Sequence, residues 1–117
     1  MKLLLDTQRT QLIANGRANG RRRADGQQEI DFRPIVKLFT PDAAATWLLT
    51  EIDPEDSDIA FGLCDLGTPE IGNVSLNELA SVRGKLGLPV ERDRYFRAEY
   101  TLAEYADAAA KAGYIRA

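Results

Sequence analysis

The chain has 117 residues, of which 44% are hydrophobic, and this suffices for one domain with a packed core. A single cysteine, Cys64, excludes an internal disulfide, and histidine is absent, which removes the commonest general base and most zinc sites. No window of the sequence is apolar for long enough to predict a signal peptide or a membrane span, so we expect a cytoplasmic protein.

The net charge of −3 is unevenly distributed along the chain. Residues 1–33 carry a charge of +3, residues 34–82 carry −8, and residues 83–117 carry +2. An acidic middle between two mildly basic ends favours charged partners, although it says nothing about the fold.

The first predicted element is a helix from about Thr7 to Arg22, capped by Thr7 and fraying toward Gly26. Two Asn-Gly pairs lie within residues 15–20, and glycine weakens a helix by about 1 kcal/mol relative to alanine. Because this stretch lacks the spacing of a phosphate-binding loop and follows no strand, we interpret it as a weak, adaptable helix.

Four segments rich in β-formers follow, separated by turns rich in proline, glycine and aspartate. The predicted strands are Pro34–Thr40, Thr46–Ile52, Ile59–Leu66 and Ile71–Val74. A helix is the alternative for the second of these, because three alanines precede it and it contains two leucines. The acidic turn between the second and the third predicted strands indicates that these two strands form an antiparallel hairpin.

The C-terminal third contains two capping boxes, in which a hydroxyl residue precedes a glutamate by three positions. Ser75–Glu78 opens one predicted helix, and Thr101–Glu104 opens another that runs to about Ala112 and ends at Gly113. Between them, Tyr95–Phe96 is a candidate edge strand.

The order of these elements predicts a single α+β domain over residues 1–117. It comprises an N-terminal helix within 1–26, a sheet over 34–74, and helices with a candidate edge strand in 75–117. Hairpin connections predict an antiparallel meander of three to five strands, with about three helices packed on one face of the sheet.

One candidate partner-binding site is an acidic run in the predicted hairpin turn. Its members are Glu51, Asp53, Glu55, Asp56 and Asp58. The run could meet a basic partner or hold a cation, but its spacing differs from that of a calcium loop, and a solvated hairpin tip is the favoured interpretation. Trp47 is interpreted as a core residue, with a partner-facing anchor as the alternative.

A second candidate site is the arginine-rich end of the first helix, with Arg17, Arg21, Arg22 and Arg23. These side chains could contact phosphates, but the pI of 5.0 favours an exposed helix end over a nucleic-acid site.

Two further groups of side chains carry chemically reactive atoms. Cys64 lies in an apolar strand and is expected to be inert. Asp65, Glu78 and Asp93 could share a cleft as an acid pair, although nothing in their spacing requires it.

Several motifs occur together in an order that resembles a known family. They are residues 36–51, 61–67, 75–79 and 90–93. Through these motifs the chain resembles bacterial domain-of-unknown-function family 2958, and the resemblance covers nearly the whole chain. The family comprises small proteins often encoded on plasmids, integrative elements and phages, many of them among conjugation and anti-defence genes. The resemblance implies no established activity and no catalytic residue, and the loop 67–72 is shorter here than in the family.

These observations predict a non-enzymatic accessory protein of a mobile genetic element that binds another protein and needs no cofactor or metal. A narrower version is an inhibitor of host defence whose acidic middle occupies a nucleic-acid channel. One alternative is a nucleic-acid-associated protein that uses the arginine-rich helix end. The other is a carboxylate- or metal-dependent enzyme, which requires acids clustered in a pocket.

Overall fold

The structure is a computed structural model that describes residues 2–117. Its elements in chain order are α1 (Asp6–Ala24), β1 (Val36–Phe39), β2 (Thr46–Ile52), β3 (Ile59–Asp65), β4 (Pro69–Ser75), α2 (Leu76–Ser81), β5 (Glu91–Arg92) and α3 (Leu102–Ala112). The strands form one antiparallel sheet in the order β4-β3-β2-β1-β5. The predicted α+β fold with an antiparallel meander is therefore confirmed. Within residues 2–117, no helix is long and apolar enough to cross a membrane.

The central strand β2 contributes to two separate hydrophobic clusters. Leu49 packs with Leu12 of α1 and the two leucines of α2, whereas the adjacent Leu48 packs with Leu63 and Tyr105. Because neighbouring residues of a strand point to opposite faces, α1 and α2 cover one face of the sheet and α3 covers the other. The prediction of helices on a single face was wrong, and the apolar run in β2 is the signal of a strand buried on both sides.

A β-bulge interrupts β2 near its end. Leu49 pairs with Gly62, but Glu51 pairs with Phe61, so the register shifts between Leu49 and Glu51. Strict alternation would place Glu51 on the same face as Leu49. With the bulge, Ile52 joins Leu49 in the core, and the Glu51 carboxylate beside it is bonded to Asn19 of α1.

Several predicted boundaries need correction. The N-cap of α1 is Leu5, whose backbone N–H donates to Gln8 Oε1 (2.9 Å), so Thr7 lies inside the helix. The edge strand is β5 rather than Tyr95–Phe96, because Glu91 and Arg92 pair with β1 while the Tyr95 side chain is 87% exposed.

The last helix, α3, follows the prediction at both ends. Thr101 Oγ1 accepts from the Glu104 N–H, and Glu104 Oε1 accepts in return from the Thr101 N–H (2.9 Å). Gly113 ends the helix with a φ of 85°, which glycine adopts without strain. The first capping box is half formed: Ser75 Oγ accepts from the Glu78 N–H, and α2 extends over only six residues.

Candidate functional site

The first helix packs on β2 through a face made of asparagine and glycine. Asn15 and Asn19 lie one helical turn apart, and Gly16 and Gly20 repeat this spacing beside them. A Cβ at Gly16 would overlap the carbonyl oxygen of Ile52, so the two backbones touch there. Asn15 Nδ2 donates to the Thr50 carbonyl (3.0 Å) at the bulge. This stretch is therefore a docking face rather than the weak, adaptable helix that its glycines indicated.

Asn19 connects three parts of the chain and is 1% exposed. Its Oδ1 accepts from the Ile30 N–H (2.7 Å), and its Nδ2 donates to the Ile30 carbonyl (3.0 Å). The same amide group donates to Glu51 Oε2 (2.9 Å). Asn19 thus holds the segment after α1 against the helix and fixes the position of the Glu51 carboxylate.

Glu51 is a buried carboxylate, 8% exposed, whose bonded donor is a neutral amide. Burial raises the pKa of Glu51 above its ordinary value, because the charged form loses hydration. The Asn19 hydrogen bond opposes this rise, the nearby charge of Glu29 adds to it, and that of Arg23 lowers it. The site therefore contains a carboxylate that is desolvated without a directly bonded cation.

A cleft of about 290 Å³ opens beside this carboxylate. Its polar lining comprises Arg23, Glu29, Glu51, Asp53 and Asn73, and its apolar wall includes Pro54, Ile59 and Phe61. Arg23 and Glu29 form an ion pair (2.6 Å), and both side chains are about half exposed. The cleft thus brings together members of both predicted sites, Arg23 from the arginine-rich end and two acids from the acidic run.

The acidic run does not form one patch, because its members serve different parts of the fold. Asp53 and Asp56 each accept from a backbone N–H two residues ahead, at 2.9 and 3.1 Å, and so shape the hairpin turn. Asp58 accepts from Ser75 Oγ (2.6 Å) and from the Asn77 N–H (2.8 Å) at the start of α2. These bonds lower the pKa of Asp58. Glu55 is exposed.

The acidic side chains of this region form no cluster that could bind a metal ion. Across the part of the chain that the structure describes, residues 2–117, no group of three or more histidine, cysteine or acidic side chains is placed to hold a metal ion.

Trp47 and the arginines also differ from what the sequence indicated. Trp47 is 3% exposed within the core, so the alternative of a partner-facing anchor is wrong. Arg22 donates to the Gln28 carbonyl (3.1 Å), and Arg23 forms an ion pair with Glu29. Both arginines therefore hold the segment that follows α1 against the helix. Arg17 and Arg21 are exposed.

The remaining candidates lie apart from the cleft. Cys64 is half-buried, and burial raises the pKa of its thiol, which disfavours the reactive thiolate. Asp65 accepts from the Gly67 and Ile115 N–H groups (2.9 and 3.1 Å), whereas Asp93 pairs with Lys37 (3.6 Å) and Glu78 is exposed on α2. Asp65, Glu78 and Asp93 therefore engage separate parts of the fold and form no acid pair.

The fold and this site define a small α+β domain with a polar cleft between its first helix and the bulged end of its central strand. The chain belongs to the family described as protein of unknown function (DUF2958), whose match extends over residues 3–116. The resemblance in the sequence motifs is thereby confirmed. No curated protein and no solved structure gives a significant match.

Proposed function

We propose that this protein is a non-enzymatic binding module and that its cleft receives an arginine or lysine side chain of a partner protein. The observation that supports this most strongly is the Glu51 carboxylate, 8% exposed and bonded to a neutral amide. A buried charge is costly unless it is paired, so a cation brought by a partner would stabilise it.

The hydrogen-bonding capacity of Glu51 fits such a ligand. Oε2 accepts from Asn19, while Oε1 is not among the enclosed side-chain atoms of residues 2–117 that lack a partner, so a ligand can reach it. A guanidinium or ammonium group entering the cleft would supply a charge-assisted hydrogen bond to this oxygen. Asp53 and Asn73 in the lining offer further acceptors for the remaining N–H groups.

The size of the cleft also suits one long side chain. Its volume of about 290 Å³ is just below that of most ligand pockets, which span roughly 300–1,000 Å³. Pro54 and Phe61 would contact the aliphatic stem of arginine or lysine while the charged end reaches Glu51.

The proposed setting is that of an accessory protein of a mobile genetic element, as the family resemblance implies. Proteins that handle nucleic acids present arginine and lysine to phosphates. A cleft that captures such a side chain would block that surface, and this is how the module would act in counter-defence.

A direct test is an NMR titration of the 15N-labelled protein with N-acetyl-arginine amide and N-acetyl-lysine amide. We expect saturable shifts of the Asn19 side-chain amide, which donates to Glu51, and of the Gly16 N–H, because Gly16 lines the cleft. N-acetyl-citrulline amide, which has a similar shape without the charge, is the control ligand, and Glu51→Gln is the control protein. Equal shifts from citrulline, or undiminished shifts in Glu51→Gln, would contradict the proposal.

The partner itself can be sought by affinity capture from host lysate, with and without nuclease, followed by mass spectrometry. A protein retained after nuclease treatment by the wild type, and lost with Glu51→Gln, would be the expected partner. Loss of every partner upon nuclease treatment would favour nucleic-acid binding instead.

One observation favours a second candidate function, an enzyme that uses carboxylates. Glu29, Glu51 and Asp53 line the same cleft, and a raised pKa is typical of a general acid. Turnover of chromogenic ester, phosphoester or glycoside substrates that is abolished by Glu51→Gln would establish this function in place of binding.

A further inference from the structure

The segment 93–100 has neither helix nor strand, yet it is fixed by several hydrogen bonds. The Asp93 N–H donates to the Lys37 carbonyl (2.9 Å), and the Tyr95 N–H donates to Asp93 Oδ1 (2.9 Å). Further along, the Glu99 N–H donates to the Tyr105 hydroxyl (3.1 Å). The segment therefore holds its side chains in defined directions.

One aromatic side chain of this segment packs inward, whereas its other aromatic side chains and both basic side chains are exposed. Phe96 is half-buried and packs against Tyr105, with ring centroids 6.4 Å apart. Its neighbours Arg94, Tyr95 and Arg97 are exposed, and the Tyr95 ring is 87% exposed between the two arginines. An aromatic ring in this position contributes little to the core and is available for a ligand.

The C-terminal residues extend this surface. Lys37 Nζ donates to the Ala117 carbonyl (2.6 Å) and lies 3.6 Å from the Asp93 carboxylate, so it joins the chain end to the segment 93–100. Tyr100, which is 51% exposed, and Arg116 line one shallow cavity beside α3. We call Arg94, Tyr95, Arg97, Tyr100 and Arg116 the tyrosine–arginine surface.

We infer that the tyrosine–arginine surface binds single-stranded nucleic acid. Exposed tyrosine rings stack on unpaired bases, and arginines placed between them contact the phosphates of the same strand. Arg94, Arg97 and Arg116 supply the positive charge that complements the strand, although Glu104 lines the same cavity as Tyr100 and Arg116. Bases within a duplex are already stacked on each other, so a single strand is the form that this surface recognises.

This inference is independent of the cleft, because the two surfaces share no residue. It also differs from the sequence-based alternative, which assigned nucleic-acid binding to the arginines of α1. The net charge of −3 and the nearby Glu99 and Glu104 limit the electrostatic contribution. Binding is therefore modest in affinity and depends on stacking as well as on charge.

The test is fluorescence anisotropy of the full chain with labelled oligothymidylate of about 15 nucleotides, a length within what one small domain covers. The wild type is expected to bind saturably, and Tyr95→Ala should weaken binding about tenfold, as loss of one stacked base predicts. Tyr95→Phe, which keeps the ring, should bind as the wild type does. The same labelled oligothymidylate, annealed to its complementary strand, should bind more weakly than it does as a single strand.

The arginines are tested by the salt dependence of the same signal. Arg94→Ala with Arg97→Ala should reduce the slope of log affinity against log salt by roughly 1.4, since each phosphate contact on a single strand contributes about 0.7. Arg17→Ala with Arg21→Ala removes the same charge from α1 and is the matched control. All these side chains are exposed, and unchanged thermal midpoints will show that the variants fold.

Three results would overturn the inference. They are the absence of saturable binding at low salt, wild-type affinity in Tyr95→Ala, and an equal loss of binding in the Arg17 and Arg21 control.

Discussion

The two long helices pack on opposite faces of the sheet by different means. The helix α3 buries Leu102, Tyr105 and Ala109 against Leu48 and Leu63, which is an ordinary apolar contact. The helix α1 buries Leu12 together with Asn15, Gly16 and Asn19. Its contact with β2 depends on backbone proximity and on side-chain amides that satisfy backbone groups.

The difference between the apolar contact of α3 and the polar contact of α1 determines which side of the sheet can hold a charged group. An apolar contact tolerates small shifts because dispersion and burial are not directional, whereas an amide network requires fixed distances. The polar contact also holds a carboxylate in a desolvated position, which an apolar contact would exclude. The candidate site therefore lies on the side of the sheet where α1 docks, and α3 serves as the opposing support.

The largest expected effect comes from a methyl group placed between α1 and β2. Gly16→Ala would force the Cβ against the Ile52 carbonyl, and we expect a loss of about 3 kcal/mol in the free energy of unfolding, measured by urea denaturation. Gly20→Ala is the matched control, since its Cβ would meet Pro54 at an ordinary 3.8 Å. This control should be neutral or more stable by up to about 1 kcal/mol, because alanine favours the helix. Equal effects at the two positions would contradict the close approach.

A smaller effect is expected at the start of α3. Thr101→Ala removes the side chain that accepts from the Glu104 N–H, and such caps contribute about 1 kcal/mol. Urea denaturation should show this loss, and Thr101→Ser should restore most of it because the hydroxyl remains. A loss of about 3 kcal/mol would mean that α3, like α1, depends on a directional contact.

The smallest effect is a gain in stability. The pKa of Glu51 is higher in the folded chain than its ordinary value of 4.5 in the unfolded chain. At pH values between the unfolded and the folded pKa, the native state therefore holds more protons than the unfolded state. The stability of the wild type therefore falls as pH rises through this window. Glu51→Gln keeps an acceptor for Asn19 without the charge, and at neutral pH it should raise Tm by about 2 °C.

The pH series supplies the control for this substitution. The difference in Tm between Glu51→Gln and the wild type should be small near pH 4 and grow toward pH 7, as measured by circular dichroism. Glu55→Gln removes an exposed charge from the same acidic run and should show no such growth. A difference that does not change with pH would show that the charge of Glu51 is not desolvated.

The sequence predicted best those elements whose local signals agree with their final environment. The strand Thr46–Ile52 and the helix that Thr101 opens and Gly113 ends were located at their observed bounds, because β-propensity, capping and the C-terminal glycine all act within a few residues. The edge strand was misplaced because pairing with β1 selected Glu91–Arg92 over the more apolar Tyr95–Phe96. Pairing of that kind is a tertiary effect and leaves no local signal.

The sequence predicted some residues of the site but not their arrangement. The acidic run contained Glu51 and Asp53, but a charged residue on a strand reads as solvent-facing unless the bulge beside it is known. Asn19 was noted only as part of a weak helix, since a single asparagine within a helix gives no sign of a buried partner. The repeat of Asn-Gly after four residues was the available signal, because this spacing places both pairs on one helical face.

The amide-and-glycine face of α1 also has a consequence for biosynthesis. The helix leaves the ribosome before β2, and the Asn15 contact with Thr50 must wait for 35 further residues. During that interval a helix with an apolar docking face would be a target for chaperones or for aggregation. Since α1 docks largely through polar groups, it can remain hydrated until the hairpin that completes its binding surface has been synthesised.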